Sequence, residues 1–302
     1  MSLWHSRALG LALGFAADRL VGDPQRWHPV AGFGQAAGAL ERRLHADSRA
    51  RGALHVALLV GAATYAGRRL GDGTVPTAAA TWVVLGGRSL DREAAAVQEL
   101  LDAGRLDDAR RRLTHLVGRD TSRLDEGEVA RAVIESVAEN TSDAVVAPLV
   151  WGALLGPAGL LGHRAANTLD AMVGHRGARY GRFGWAAARL DDALNLPGSR
   201  LTAALTVLLG ADRAGALRAW RRDAAAHPSP NAGPVEAAFA GALGIRLGGT
   251  NTYGDRVEDR AVLGDGQPAA AHDVPRAREL ATWVDVGALI VLLPIAARRG
   301  RR

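Results

Sequence analysis

The chain has 302 residues, 48% of them apolar, and a formal charge of +6 supplied by arginine alone, because the sequence contains neither lysine nor cysteine. That composition excludes a disordered chain, disulfides, thiolate metal sites, a cysteine nucleophile, and any lysine that would hold phosphate or form a Schiff base. Arginine is interleaved with Asp and Glu and no aromatic-rich basic patch occurs, so the charge does not point to nucleic acid. A mean hydropathy near zero reads as apolar segments joined by sizeable polar ones, a mixed membrane and cytosolic architecture.

In chain order, the first apolar segment is Leu3 to Leu20. No A-x-A-like cleavage site follows it, since Asp18, Arg19 and GDPQRWHPV come next, so a retained first helix is expected rather than a signal peptide. GDPQRWHPV (Gly22 to Val30) is a rigid turn presenting Asp23 and His28. Further apolar segments fall at Ala53–Ala66, Thr77–Gly87, Ala144–Gly162, Leu201–Gly210 and Val286–Ala297. Only Ala144–Gly162 reaches the roughly 17 to 25 residues of a charge-free spanning helix, and it carries Pro148 and Pro157.

Between Ser89 and Asn140 the period is helical. Ser89 is expected to cap a helix ending near Ala103 before Gly104, and a second helix to run from Leu106 to about Val117. A third opens on the capping-box pair Asp125 and Glu128, with Val129, Val133 and Val137 on its apolar side. This predicts a soluble helical insert at about 88–143. After Asp212 the chain turns polar and Gly/Pro-rich to about residue 280, through HPSPNAG (His227 to Gly233), AGALGIRLGGTNTYGD and a loop from Arg256 to Asp273. Strand signals are almost missing. The expected fold class is all-α: a single membrane-associated helical domain, multi-pass, with basic ends at Arg298, Arg299, Arg301 and Arg302, and at Arg68 and Arg69, favouring the cytoplasmic side.

Polar residues crowd the region from Glu135 to Asp192. On a helix Glu135 and Glu139 share a face, with Asp143 one step further and Asn140 beside them; grouped oxygens of this kind suit Mg²⁺ carrying a nucleotide phosphate, or equally an acidic helix end with a local turn. His163, Asn167 and Asp170 form a stripe at i, i+4 and i+7, either lining a cavity or facing water. His175, Arg176, Arg179, Tyr180 and Arg182 follow, several guanidiniums close to carboxylates as an anionic substrate requires. Arg189, Asp191, Asp192 and Asn195 make another polar face after Trp185. The glycines at 248 and 249 bring backbone N–H groups against a phosphate or serve close helix packing.

The blocks DRLVGDPQRWHPV, ESVAENTSDAVVAPLVWGALLGPAGLLGHRAANTLDAMVGHR, RYGRFGWAAARLDDALNLPGSRLTA and HPSPNAG followed by EAAFAGALGIRLGG, in this order, resemble the adenosylcobinamide-phosphate synthase family of cobalamin biosynthesis, the CobD/CbiB proteins. HPVAGFG and PVEA depart from the family's usual HPVRLIG and aromatic-Pro-Glu-Ala, which touches local contacts more than the activity. The resemblance implies a multi-pass protein of the bacterial inner membrane with a cytoplasmic active site. It implies a ligase joining (R)-1-amino-2-propanol O-phosphate, or a related amino-alcohol phosphate, to adenosylcobyric acid with ATP and Mg²⁺, giving adenosylcobinamide phosphate. Its partners would be the corrinoid, the amino-alcohol phosphate, membrane lipid and other cobalamin-pathway enzymes.

On that chemistry Glu139, Asn140 and Asp143 are the metal candidates. Arg176, Arg179, Tyr180, Arg189 and Asn231 are the substrate and phosphate candidates, and Asp170, His28 and Asn167 the catalytic ones, with Asp170 or His28 taking a proton. Two rival readings are a Mg²⁺-dependent membrane-embedded diphosphate transferase and a non-catalytic scaffold for corrin enzymes.

Overall fold

The structure is a computed structural model and describes residues 3–22, 28–175, 177–253 and 256–299. The helices are α1 (Leu3–Val21), α2 (Pro29–Leu44), α3 (Arg49–Leu70), α4 (Thr74–Val84), α5 (Gly87–Asp102), α6 (Leu106–Leu113) and α7 (Glu126–Thr141). A π-turn at Ser142–Val146 leads to α8 (Ala147–Leu155), α9 (Pro157–Val173), α10 (Trp185–Leu209), α11 (Arg213–Asp223) and α12 (Ala232–Leu243). Three strands, β1 (Ile245–Tyr253), β2 (Arg256–Leu263) and β3 (Gln267–Pro268), precede α13 (Asp273–Arg299). The chain divides into two compact units: Met1–Gly86 with Asp143–Gly198 and Leu289–Arg302, and Gly87–Ser142 with Ser199–Ala288.

In the first unit, small residues let helices approach closely. Gly10 and Gly14 of α1 lie four apart and face Thr77 and Thr81 of α4, where an added Cβ would collide with the threonine side chains and the carbonyls of Thr74 and Ala78. Small residues at this spacing bring backbones together without hydrophobic side chains between them. We expect Gly14→Val to destabilise the protein by about 1–3 kcal/mol through overpacking, read as a lowered thermal midpoint of the detergent-purified protein; an unchanged midpoint would refute the seam. The α3 and α9 helices meet in the same way, Gly67 against Pro157 and Ala158, and Gly162 against Thr64. Arg7 is buried, pairs with Asp72, and donates from Nη1 to the carbonyls of Ala153 and Leu154 at 3.3 Å, closing the end of α8.

The apolar run from Ala144 to Gly162 is not one helix. Its first residues form the π-turn and α8, the chain breaks at Gly156 (φ +60°), and Pro157 starts α9, which packs along α8. Proline at the first helical position and a glycine with positive φ before it are strong boundary signals, and they outweigh the continuous hydrophobicity. Val145, Val146, Ala147, Leu149 and Leu160 are fully buried, so this segment is core. Among the described residues one helical stretch, Asp273–Arg298, is long and apolar enough to cross a membrane by length and composition.

The second unit joins the insert helices α5–α7 to α11, α12 and a small sheet of order β2-β1-β3. The capping box forms as expected: Asp125 Oδ1 accepts the Glu128 N–H at 2.8 Å and Glu128 Oε2 accepts the Asp125 N–H at 2.9 Å. The α5 helix starts at Gly87, ahead of Ser89, and α6 ends at Leu113, four residues before the expected Val117. All twelve residues of α12 are buried.

The chain is mostly helical, as the all-α reading requires, but the Gly-rich stretch and the expected loop from Arg256 pair as antiparallel strands. Gly248 and Gly249 adopt φ of +82° and +90° and the register shifts beside them. This bulge interrupts the period-two pattern by which a strand is recognised.

Candidate functional site

A buried polar cluster lies in the first unit, where α9 and α10 carry the NTLD and RLDDALN blocks. Its members recur at helical spacing, so each helix turns its polar residues to one side: His163, Asn167 and Asp170 on α9, Asp191 and Asn195 on α10. His163 is 2% exposed and its Nε2 lies 2.7 Å from Asn195 Oδ1. Asn195 donates through Nδ2 to Asp191 Oδ2 at 2.9 Å, which leaves its oxygen for the imidazole and makes Nε2–H the donor. Asn167 Nδ2 reaches Asp191 Oδ1 at 3.4 Å, and Arg164 reaches Asn167 Oδ1 at 3.4 Å.

Burial sets the protonation of this chain of groups. It holds the Asp191 carboxyl up at about 7, with the nearby Asp170 charge next in importance. It likewise raises Asp170 to about 6, the Asp192 charge adding to the effect and His175 opposing it. His163 is lowered to about 4 by burial and is neutral, and its Nδ1 has no hydrogen-bond partner. Two carboxyls that exchange protons near neutral pH beside an oriented amide and imidazole are what proton-transfer chemistry requires. Gly174 keeps Asp170 in place, since a Cβ there would collide with its Oδ1.

A second group holds the RYGRF loop. Glu41 of α2, 8% exposed, accepts from Arg179 Nη2 at 3.0 Å and Tyr180 Oη at 2.9 Å. Burial works against ionisation of Glu41, and these two donors more than offset it, keeping its carboxyl below the usual range. Phe183 anchors the same loop in a core with Ala37, Val56, Leu169, Val173 and Ala187.

The other expected site residues fall as follows. His28 caps α2, its Nδ1 accepting the Val30 N–H at 3.1 Å. Asn140 turns back on its own helix, donating to Ser136 O at 2.9 Å, while Glu139 is exposed and Asp143 half-buried in the π-turn. Arg189 is exposed and bonded to Asp192 at 3.2 Å. Asn231 belongs to the second unit, where its Oδ1 accepts from Ser199 Oγ and Arg200 Nη1, each at 3.0 Å. Arg176 and Asp23 lie outside the described residues.

The structure thus gathers Asn167 and Asp170 with His163, Asp191 and Asn195, and joins Arg179 to Tyr180. Sequence reading left His163, Asp191, Asn195 and Glu41 out of the candidate set, although the i, i+4 pair Asp191 and Asn195 was a visible signal. Among the described residues no three His, Asp or Glu side chains group closely enough to hold a metal by themselves. A nucleotide-borne Mg²⁺ asks for less, because it keeps waters and phosphate oxygens and takes one or two protein carboxylates.

The chain is mostly helical, contains neither lysine nor cysteine, and holds a buried carboxyl, amide and imidazole cluster in its first unit. The CobD/CbiB protein family model matches residues 11–281. Over 308 residues the chain is 49% identical to proteins of Mycobacterium bovis and Mycobacterium tuberculosis, covering 99% of this chain and 98% of theirs. It is 46% identical over 287 residues to a protein of Chromobacterium violaceum, covering 90% and 91%. Each of these relatives is named Cobalamin biosynthesis protein CobD. No solved structure matches. The chain belongs to the CobD/CbiB family of cobalamin biosynthesis.

Proposed function

We propose that this protein is the amide-forming ligase of its pathway, joining an amino-alcohol phosphate such as (R)-1-amino-2-propanol O-phosphate to adenosylcobyric acid with ATP and Mg²⁺. The observation that carries the reading is the Asp170 and Asp191 pair, a half-buried and a buried carboxyl held near neutral pH, with Asp191 bonded to Asn167 and, through Asn195, joined to His163. A carboxylate does not acylate an amine in water, so it is first activated by phosphate or adenylate transfer, and protons are then moved as the amide forms. Asp170 exchanges a proton at working pH, with His28 the alternative. In a chain without lysine, phosphate charge falls to guanidinium groups, for which Arg176, Arg179 and Arg189 are assigned. Glu139, Asn140 and Asp143 are each candidates to hold Mg²⁺, which would supply charge neutralisation on the phosphates when bound.

We place the protein at the cell membrane. Asp273–Arg298 is the leading span, and α1 and α3, which expose Leu9, Leu13, Leu20, Leu54, Leu58 and Tyr65, are the next candidates for contact with lipid. The carboxyls of the α9 and α10 cluster lie outside these segments. The test is purified protein with adenosylcobyric acid, amino-alcohol phosphate and ATP·Mg²⁺, followed by mass spectrometry of the corrin. Adenosylcobinamide phosphate is expected; its absence, with turnover of a prenyl diphosphate instead, would replace this reading with the transferase one.

A further inference from the structure

The turn between α2 and α3 and the loop leading into α10 make a basic corner of the first unit that the proposed ligation uses only in part. Residues 41–51 and 177–185 are fastened together: His45 Nε2 donates to the Arg179 carbonyl at 3.0 Å, and the Arg49 guanidinium stands 5.3 Å from the centre of the Trp185 ring. Gly52 of α3 comes so close to the Phe183 carbonyl that a Cβ there would collide with it. The two segments carry six arginines against Glu41 and Asp47, a net of four positive charges. Glu41 is taken by Arg179 at 3.0 Å, and Asp47 lies 3.7 Å from Arg182. Arg42, Arg43, Arg49 and Arg51 are all exposed, and among the described residues none of them has a carboxylate partner.

This corner runs directly into an apolar strip. From Gly52 to Gly67 the α3 helix carries no Asp, Glu, Lys or Arg, and its one histidine, His55, is fully buried. Its outer side presents Leu54, Leu58 and Tyr65, a rise of about 17 Å from first to last. Arg68 and Arg69, both exposed, close the far end. An aromatic ring stands at each end of the strip: Trp185, 43% exposed, against Arg49, and Tyr65, 63% exposed, one turn before Arg68 and Arg69. Amphipathic rings and arginines at both ends of an apolar surface mark the two boundaries between hydrocarbon and water. At such a boundary a cluster of guanidiniums meets phospholipid headgroups, and its charge selects the anionic ones. We propose that the corner built by Arg42, Arg43, Arg49 and Arg51 binds the headgroups of anionic phospholipid. Continuity with the apolar strip favours a lipid over a soluble anion, because the acyl chains then lie along Leu54 and Leu58. The proposal rests on the placing of the protein at the membrane and is independent of the ligation.

Two measurements on the full chain keep the proposal apart from the membrane placing beneath it. Reconstitution into phosphatidylcholine vesicles, then flotation after an alkaline wash, tests the placing alone; protein lost to the wash overturns it. Native mass spectrometry of the detergent-purified protein, given phosphatidylglycerol and phosphatidylcholine in equal amounts, tests the corner. We expect phosphatidylglycerol to be retained over phosphatidylcholine by about tenfold or more, and the preference to fall to about twofold when Arg43→Gln, Arg49→Gln and Arg51→Gln are combined. The matching lysine triple, Arg43→Lys, Arg49→Lys and Arg51→Lys, should keep most of the preference, because headgroup attraction counts charge. All three positions are exposed, so both variants should keep the thermal midpoint of the unsubstituted protein. Equal retention of the two lipids, an unchanged preference in the glutamine triple, or an equal loss in the lysine triple overturns the proposal. So does removal of the preference by inorganic phosphate at constant ionic strength, which would assign the corner to a soluble anion.

Discussion

Asp170→Asn is expected to lower the rate of adenosylcobinamide phosphate formation at least 100-fold, about 2.7 kcal/mol in activation free energy, while the protein still purifies folded. The substitution keeps the shape and hydrogen-bonding capacity of the side chain and removes its titration. Asp170 is held at about 6 by burial and by Asp192, close to the pH at which a group can both accept and return a proton, and loss of such a group costs about 10²–10⁴ in rate. If Asp170 must be ionised to act, the rate of the unsubstituted enzyme falls as pH drops through about 6. Initial rates from pH 5 to 8 and circular dichroism of the variant check both statements. A variant with more than a tenth of the original rate would remove Asp170 from the mechanism.

The second large effect concerns stability and has an unusual sign for an aspartate. Asp191 is raised from 3.8 to about 7 in the fold, whereas in the unfolded chain it titrates near about 3.9. Below about pH 4 it is protonated in both states and contributes no pH dependence. Between about 4 and 7 the folded protein retains a proton that the unfolded chain has lost, so stability falls as pH rises through this window and levels above it. A displacement of this size corresponds to about 4 kcal/mol, shared with Asp170 because the two carboxyls titrate together. Asp191→Asn should flatten the decline, raising the thermal midpoint at pH 8 more than at pH 5. Equal changes at the two pH values would show that the buried carboxyl is not neutral in the fold.

What could be read from the sequence follows the range of the interactions involved. The capping box of Asp125 and Glu128 was legible because both hydrogen bonds close within three residues. The stripe of Asn167 and Asp170 was legible for the same reason, as a helical period. Its partners Asp191 and Asn195 were visible only as a second stripe, since the contact that joins His163 to Asn195 spans 32 positions. Arg179 was read as a phosphate ligand, but its carboxylate partner Glu41 stands 138 residues away and no local pattern announces it.

The run from Ala144 to Gly162 misled because hydrophobicity measures burial and does not say whether lipid or protein covers a segment. Gly156 and Pro157 marked the break, and they were outweighed by the apolar count. The strands were hidden by the positive φ of Gly248 and Gly249, which destroys the alternation on which recognition depends.

The complete enclosure of α12 carries over to the history of this sequence. An amphipathic helix has a wet side where neutral changes accumulate, and its tolerance to mutation rises and falls every 3.6 positions. A helix enclosed on all sides has no such refuge. Saturation mutagenesis across 232–243 should therefore give a flat profile of intolerance without that ripple, and divergence between members of the family should pass this segment by.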